Sequence, residues 1–446
     1  MSRLFGTDGV RGTANTTLTP ELAYKLGRAA TFLFGREHSR PVILIGRDTR
    51  ISGSMLEAAL AAGICSAGGD AILAGVVPTP AVAYLTRKLS AQAGVVISAS
   101  HNPYPDNGIK FFAATGYKLP DEVEDKLEEL VLSPDDSLPR PTGDRVGAIT
   151  HRHDLLDEYL DFLASIVTTD FTGIKVVVDC SHGAAYEAAP KILTRLGATV
   201  VVLNDQPTGV NINDNCGSTH LAGLQQAVVN HGAGLGIAHD GDADRCLAVD
   251  ERGEIIDGDQ IMTLCALNLM NQGKLKDNTL VTTVMSNIGL HKAMEQAGCK
   301  VLVTPVGDRY VLEAMAKEGY SLGGEQSGHI IFLDYNTTGD GILTALELIA
   351  ALKQSGKKLS HLGSLMTRYP QLLVNVRLKS KDGWDTNPAI AAAIASGEQE
   401  LGSNGRILVR PSGTEPLIRV MAEGPSEDDL QRIVEGIVGV IKAELS

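Results

Sequence analysis

Apolar residues recur along the chain in short unbroken runs, separated by stretches with helical spacing. Val42-Ile43-Leu44-Ile45 is the first such run, the pattern of a strand buried on both faces. Beyond it Met55, Leu56, Ala59, Leu60, Gly63 and Ile64 fall three and four apart. That spacing predicts one face of a helix, with Ser52 placed to act as its N-cap. Ala71–Ala74, Gly94–Ile97, Val176–Val178, Val200–Leu203, Leu235–Ala238, Leu280–Val284 and Val301–Val303 repeat the strand pattern. Helical segments lie between them. Such alternation predicts parallel sheets wrapped by helices.

The last eighty or so residues read differently. Leu372–Leu378 mixes Asn and Arg with its apolar residues, a helix is expected over Pro388–Leu401, and strands over Arg406–Val409 and Leu417–Met421. Ser426 caps a final helix with Leu430, Ile433, Val434, Ile437 and Ile441 on one face. This predicts a small α+β domain with a more antiparallel sheet. A helix over His153–Ile166 closes the first unit, and Ser133–Thr142 is the expected exposed loop. The expected domains are 1–166, 167–254, 255–367 and 368–446.

Composition sharpens the picture in three ways. Glycine supplies 48 of 446 residues, about 11 % against a usual ~7 %, so tight turns or close backbone approaches are expected, above all in ligand loops. The formal net charge of −14 disfavours non-specific nucleic-acid binding. Six cysteines lie far apart with no Cys-x-x-Cys, which argues against a zinc ribbon or disulfide scaffold and for a reducing cytosol. No apolar run reaches the ~18–20 residues of a membrane span, and the opening Met1–Gly6 lacks a signal-peptide profile. A cytoplasmic location is expected.

Four polar segments interrupt the pattern at strand ends. Ser98-Ala99-Ser100-His101-Asn102-Pro103 follows Gly94–Ile97 and leads through Asp106-Asn107-Gly108 to Lys110. A hydroxyl just past a strand end of an α/β sheet sits where ligands bind, which makes Ser100 a candidate nucleophile. An Asn-Pro turn with a capping serine is the alternative. Asp240-Gly241-Asp242-Ala243-Asp244-Arg245 follows another strand. Carboxylates alternating around a glycine can converge on one cation, and three hard oxygen ligands suit Mg²⁺. A solvated acidic turn is the alternative, although three like charges held together without a cation are costly.

In Gly323-Gly324-Glu325-Gln326-Ser327-Gly328-His329, Glu325 and Ser327 can exchange hydrogen bonds with sugar hydroxyls, or they are incidental polar residues in a glycine turn. Arg410-Pro411-Ser412-Gly413-Thr414-Glu415-Pro416, with Arg419 close behind, can form an anion cradle from two arginines, two hydroxyls and backbone N–H groups. An ordinary hairpin loop is the alternative. Phe5–Gly12 (with Arg11 able to face an anion), Gly46–Arg50 and Val306–Arg309 are read singly as structural turns. No Rossmann fingerprint, Walker A motif or G-x-S-x-G elbow is present in the right setting. A nucleophilic hydroxyl, a cation loop, a sugar-type loop and a phosphate cradle, one per expected domain, describe phosphoryl transfer on a phosphorylated polyol.

These segments resemble the motifs of the α-D-phosphohexomutase superfamily: S-A-S-H-N-P at 98–103, D-G-D-A-D-R at 240–245, G-G-E-Q-S-G-H at 323–329 and R-P-S-G-T-E-P at 410–416. F-G-T-D-G-V-R-G at 5–12, N-C-G-S-T-H at 215–220, V-M-S-N-I-G-L at 284–290, V-G-D-R-Y-V at 306–311 and T-T-G-D-G at 337–341 narrow the resemblance to members that handle an amino-sugar phosphate. Ser181-His182 and His239 depart slightly from the family pattern. The resemblance implies an α/β protein of four domains, three tandem with mixed sheets and a smaller C-terminal α+β domain, around a central cleft. It implies interconversion of glucosamine 6-phosphate and glucosamine 1-phosphate, upstream of UDP-N-acetylglucosamine.

The resemblance further implies that Ser100 is carried as phosphoserine. One Mg²⁺ is held by Asp240, Asp242, Asp244 and a Ser100 phosphate oxygen. The intermediate is glucosamine 1,6-bisphosphate, and it or glucose 1,6-bisphosphate is the activator. Arg11, Lys110 and Arg245, then His101 and His329, are expected to stabilise charge or move the sugar hydroxyl's proton. Glu325 and Ser327 are expected to recognise sugar hydroxyls, and Arg410, Ser412, Gly413, Thr414 and Arg419 to clamp the distal phosphate. The expected partner is a small phosphosugar, with no nucleic acid and no membrane; a homodimer is left open. The alternatives are a phosphomannomutase/phosphoglucomutase of the same superfamily, a Mg-dependent sugar phosphatase, and a non-catalytic sugar-phosphate sensor.

Overall fold

The unbroken apolar runs form strands. In the computed structural model, which describes residues 3–6, 8–35, 40–412 and 416–445, the chain divides into Met1–Val284 with Lys300–Ser364, and Met285–Cys299 with Leu365–Ser446. Gly413 and Thr414, two of the cradle candidates, lie outside the described residues.

The larger unit holds three sheets. The first contains β1 (Val10–Thr13), β2 (Val42–Arg47), β3 (Asp70–Val76), β4 (Ala93–Ile97), β5 (Asp106–Ala113) and β6 (Ile149–His151), in the order β1-β5-β4-β2-β3-β6. The second contains β7 (Lys175–Asp179), β8 (Thr199–Leu203), β9 (Leu235–His239), β10 (Cys246–Asp250) and β11 (Ile255–Ile256), in the order β11-β10-β9-β7-β8. The third contains β12 (Thr279–Thr283), β13 (Lys300–Thr304), β14 (Leu322–Gly324) and β15 (Ile330–Phe332), in the order β13-β12-β14-β15.

One plan underlies all three. A central strand (β2, β7 or β12) pairs in parallel with the next two in the chain. The second of those then turns back and pairs antiparallel with β5, β10 or β15. Parallel partners need long crossovers, whereas an antiparallel pair needs only a short turn at the strand's carboxyl end, where ligands of α/β sheets bind. Each of these three turns carries a candidate motif: 98–105 joins β4 to β5, 240–245 joins β9 to β10, and 325–329 joins β14 to β15. The mixed sheets are as expected.

The helix expected after β2 spans Ile51–Ser66 but begins before Ser52, after Arg50, with no side-chain cap. Asp48 Oδ1 instead accepts the Arg50 N–H at 2.9 Å, and Ser52 Oγ accepts from Asn107 Nδ2 at 2.9 Å. This helix lies against Pro20–Phe34 so closely that a Cβ on Gly63 would stand 2.1 Å from Tyr24 O. Ile43, Ile45, Leu26, Leu60 and Phe111 form the core beneath them.

The helix Asp121–Leu132 opens on Asp121, Glu122 and Glu124. Burial, with Arg3 at 3.8 Å opposing it and Asp121 adding to it, pushes the Glu124 carboxyl up to about 7 from its ordinary 4.5. A raised carboxyl contributes stability below about pH 4.5 that is lost as pH rises to about 7. Glu124→Gln is therefore expected to be more stable than the unmodified chain at pH 8 by about 1 kcal/mol after solvent screening. The gain should vanish near pH 4.5, as measured by unfolding at both pH values.

The smaller unit has one antiparallel sheet, β16 (Gln371–Arg377), β17 (Arg406–Pro411) and β18 (Leu417–Glu423), ordered β16-β18-β17. Helices Pro388–Leu401 and Glu427–Leu445 pack on it. Ser426 Oγ accepts the Asp429 N–H, and the expected residues Leu430, Ile433, Val434, Ile437 and Ile441 are buried. The helix Ile288–Gln296, between β12 and β13 in the chain, belongs to this unit. Its Ile288 N–H reaches buried Glu423, which also takes Arg406 Nε at 2.7 Å. Among the described residues no helix is long and apolar enough to cross a membrane, and all six cysteines are buried thiols.

Candidate active site

Ser100 stands at the top of β4 with φ +50°, a left-handed conformation that costs a non-glycine residue about 1–2 kcal/mol. It aims the side chain at the second sheet's turn. Ser100 Oγ donates to Asp240 Oδ2 at 2.6 Å, and His101 Nδ1 is 3.4 Å from the same Ser100 oxygen. Gly241 permits this approach, since a Cβ there would stand 2.4 Å from Ser100 O. The glycine serves loop against loop, a role distinct from the expected approach of backbone to ligand.

Asp240, Asp242 and Asp244 are all buried and place one oxygen each within 4.8 Å of one another. Asp240 Oδ1 accepts the Arg245 N–H at 3.2 Å, and Asp242 Oδ2 accepts from Thr79 Oγ1 at 2.7 Å. Among the described residues Asp242 Oδ1 and Asp244 Oδ1 have no hydrogen-bond donor. Burial, with Asp244 and Asp240 alongside, pushes the Asp242 carboxyl well up. Burial acts the same way on Asp244 but is outweighed by His329, Lys110 and Arg245, which hold it well below the usual range. Converging buried carboxylates with donor-free oxygens are the oxygen-rich set that a hard divalent cation takes.

Cations surround this cluster. Arg245 Nε is 3.9 Å from both Asp240 and Asp244, and with Arg11 Nε it is a buried donor with no acceptor among the described residues. Asp8 gathers Lys110 at 3.6 Å, Lys118 at 3.3 Å and Arg11 at 3.5 Å. Lys110 and its neighbours overcome burial and hold the Asp8 carboxyl well below its ordinary value. Lys118 also pairs with Asp308. His329 Nδ1 is 3.4 Å from Asp244, while its Nε2 accepts the Gly339 N–H at 3.1 Å. Burial alone would lower the His329 ring's pKa, but Asp244 raises it. Burial and the nearby Arg245 lower that of His101.

The third turn is stitched to the second by an antiparallel bridge between Arg245 and His329 and by the Cys246 N–H to Gly328 O bond at 3.0 Å. Glu325 Oε1 accepts the Gly307 N–H at 3.0 Å, and Ser327 Oγ is buried without a partner among the described residues. Ser100, Lys110, Arg11, His101, the three aspartates, Arg245 and His329 are thus brought together, with the Glu325–Ser327 turn attached to them.

In the smaller unit Arg410 and Arg419 face each other across β17 and β18. Like charges directly opposite are destabilising. Burial and then Arg419 lower the Arg410 pKa, and Arg419 Nε is buried without an acceptor among the described residues. Ser412, also buried, donates its N–H to Leu417 O. Two facing arginines at a hairpin end suit an anion.

Several participants escape a reading by motif. Asp48, Asp308 and Asp8 lie in stretches that look like ordinary turns. Thr79 and Asn213 give no signal, because their partners Asp242 and Ser100 lie 163 and 113 residues away.

Models of phosphoglucomutase/phosphomannomutase domains match the chain in order: α/β/α domain I over 2–137, domain II over 157–253, domain III over 257–369 and the C-terminal domain over 373–440. The chain belongs to the phosphoglucomutase/phosphomannomutase family. Relatives of this family member include phosphoglucosamine mutases of Symbiobacterium thermophilum, 58 % identical with both chains fully covered, and of Desulforamulus reducens, 57 % identical over 99 % of each chain. A phosphoglucomutase/phosphomannomutase family protein from Burkholderia thailandensis shares its fold, with TM-score 0.82 and 24 % identity over 99 % of this chain and 98 % of that one. So does an Aspergillus fumigatus N-acetylphosphoglucosamine mutase solved with GlcNAc-6P and magnesium, with TM-score 0.72 and 19 % identity over 99 % and 96 %. The four domains and their mixed and antiparallel sheets are those of a phosphohexomutase.

Proposed function

We propose that the chain interconverts glucosamine 6-phosphate and glucosamine 1-phosphate through a phosphoserine at Ser100. The observation that carries the chemistry is Ser100 Oγ at 2.6 Å from Asp240, beside the two donor-free oxygens of Asp242 and Asp244. The choice of amino sugar is supported by full-length relatives named phosphoglucosamine mutase at 54–58 % identity.

In this reading the phosphoryl group on Ser100 Oγ passes to the free hydroxyl of the bound hexose phosphate. The Oγ–P bond breaks, a sugar O–P bond forms, and the hydroxyl's proton leaves. The resulting glucosamine 1,6-bisphosphate turns over in the site, and its other phosphoryl group returns to Oγ. Asp240, Asp242 and Asp244, with a phosphate oxygen on Ser100, would hold one Mg²⁺, which would offset the charge of the transferring group. Arg245, Arg11 and Lys110 add fixed positive charge where the phosphoryl group moves, and His101 and His329 are the second candidates for moving the proton. Glu325 and Ser327 bind sugar hydroxyls. Arg410, Ser412 and Arg419, with Gly413 and Thr414, hold the phosphate that is not in transfer. Glucosamine or glucose 1,6-bisphosphate recharges Ser100. A cytoplasmic location accords with six unbridged cysteines.

The test is kcat/KM on the 6-phosphates of glucosamine, glucose and mannose, with glucose 1,6-bisphosphate present. Glucosamine is expected to lead by at least about tenfold, a typical discrimination for one substituent. Equal or higher values for glucose or mannose overturn the substrate, and phosphate release without isomerisation overturns the reaction.

A further inference from the structure

The Gly46–Arg50 turn sits behind the Ser100 loop and leaves no donor of its arginine unused. The Arg50 side chain is fully buried. Its Nε donates to Asp48 Oδ2 at 2.8 Å, Nη1 to the carbonyls of Pro103 at 2.5 Å and Asp106 at 3.0 Å, and Nη2 to those of Ser100 at 2.9 Å and Asn102 at 2.8 Å. A guanidinium has five N–H groups in a rigid fork, and each here meets one acceptor. The same Asp48 Oδ2 takes the Ser98 hydroxyl at 2.6 Å, and Ser98 Oγ takes the Ser100 N–H at 2.9 Å. Both peptide groups that flank Ser100 are therefore tied to one buried ion pair. Asn213 Nδ2, from the second sheet's side, adds donors to Ser100 O at 2.9 Å and Asn102 O at 3.0 Å.

We infer that Arg50, acting through Asp48 and Ser98, is a positioning residue that holds Ser100 in its left-handed conformation and so aims Oγ at the reacting phosphorus. The inference rests on Ser100 being the phosphoryl acceptor. Asp48 balances the charge of Arg50, so the pair works through geometry. Lysine keeps the charge but offers only three N–H groups and no planar fork, which leaves carbonyls of the loop without donors. A misplacement of about 1 Å can cost about 10²-fold in rate.

The experiment compares Arg50→Lys and Ser98→Ala with the unmodified chain in kcat and KM for glucosamine 6-phosphate. It also measures the rate at which glucose 1,6-bisphosphate adds mass at Ser100. Expected are kcat losses of about 100-fold for Arg50→Lys and about tenfold for Ser98→Ala, KM within about threefold, and phosphorylation slowed in parallel. A purely structural role would lower the thermal midpoint yet leave kcat per folded molecule unchanged. If Arg50→Lys does not fold, Ser98→Ala decides. Folded Ser98→Ala with kcat and phosphorylation rate within about twofold of the unmodified chain overturns the positioning role. An unmodified chain without mutase activity overturns the proposed function instead.

Discussion

Alanine at Ser100 is expected to lower mutase kcat by about 10⁴-fold or more, the scale of losing a nucleophile that no neighbour can replace. The nearby hydroxyls are committed elsewhere, Ser98 Oγ to Asp48 and Thr79 Oγ1 to Asp242. The fold should survive. Alanine tolerates φ +50° about as badly as serine, and the backbone ties of residue 100 to Arg50 and Ser98 remain. The remaining cost is Asp240 Oδ2 losing its donor, about 1–3 kcal/mol for a buried acceptor. Initial rates and thermal unfolding on the same preparation check both halves. A variant that keeps kcat within tenfold contradicts the role of Ser100.

Asp242→Asn should move activity and stability in opposite directions. Three carboxylate oxygens within 4.8 Å of one another repel by about 3 kcal/mol per charged pair at an effective dielectric of ~20. Burial first, and then this repulsion from Asp244 and Asp240, pushes the Asp242 carboxyl up. An amide at this position keeps the shape and relieves that repulsion. The metal-free variant is thus expected to be more stable than the metal-free unmodified chain by about 1–3 kcal/mol. Its activity should fall by about 10³-fold, because a charged ligand of the proposed Mg²⁺ site is replaced by a neutral, weaker one. Added Mg²⁺ should stabilise the unmodified chain, by about 2.7 kcal/mol at 100 times its dissociation constant, and the variant far less. Unfolding scans with EDTA and with Mg²⁺, beside kinetics, give all of these values. Equal Mg²⁺ stabilisation of both proteins contradicts the assignment.

The elements legible in the sequence are those set by local pattern. Runs such as Val42–Ile45 and Val176–Val178 announce buried strands, and the final helix shows its stripe and its Ser426 cap plainly. The loops that gather the candidate residues are equally legible, because glycine, carboxylate and hydroxyl residues cluster there against apolar strands. Relations between distant segments are not. Arg50 looks like a turn residue in the sequence because four of its five acceptors are backbone carbonyls 50 to 56 residues away. Backbone carbonyls leave no mark in a sequence. The expected cap at Ser52 fails for the same reason: Asp48 satisfies the local N–H and Asn107 claims the hydroxyl. The common plan of the three sheets is also hidden, since pairing order depends on hydrogen bonds between strands far apart in the chain.

The central claim, that Ser100 carries the transferring phosphoryl group, is tested most directly by intact-mass measurement of the chain after incubation with glucose 1,6-bisphosphate. A gain of about 80 Da, one phosphate, is predicted. It should map to the peptide containing Ser100 and be absent from Ser100→Ala. An active chain that isomerises glucosamine 6-phosphate while its mass stays at the value of the unphosphorylated sequence, or that carries the phosphate on a different residue, contradicts the account.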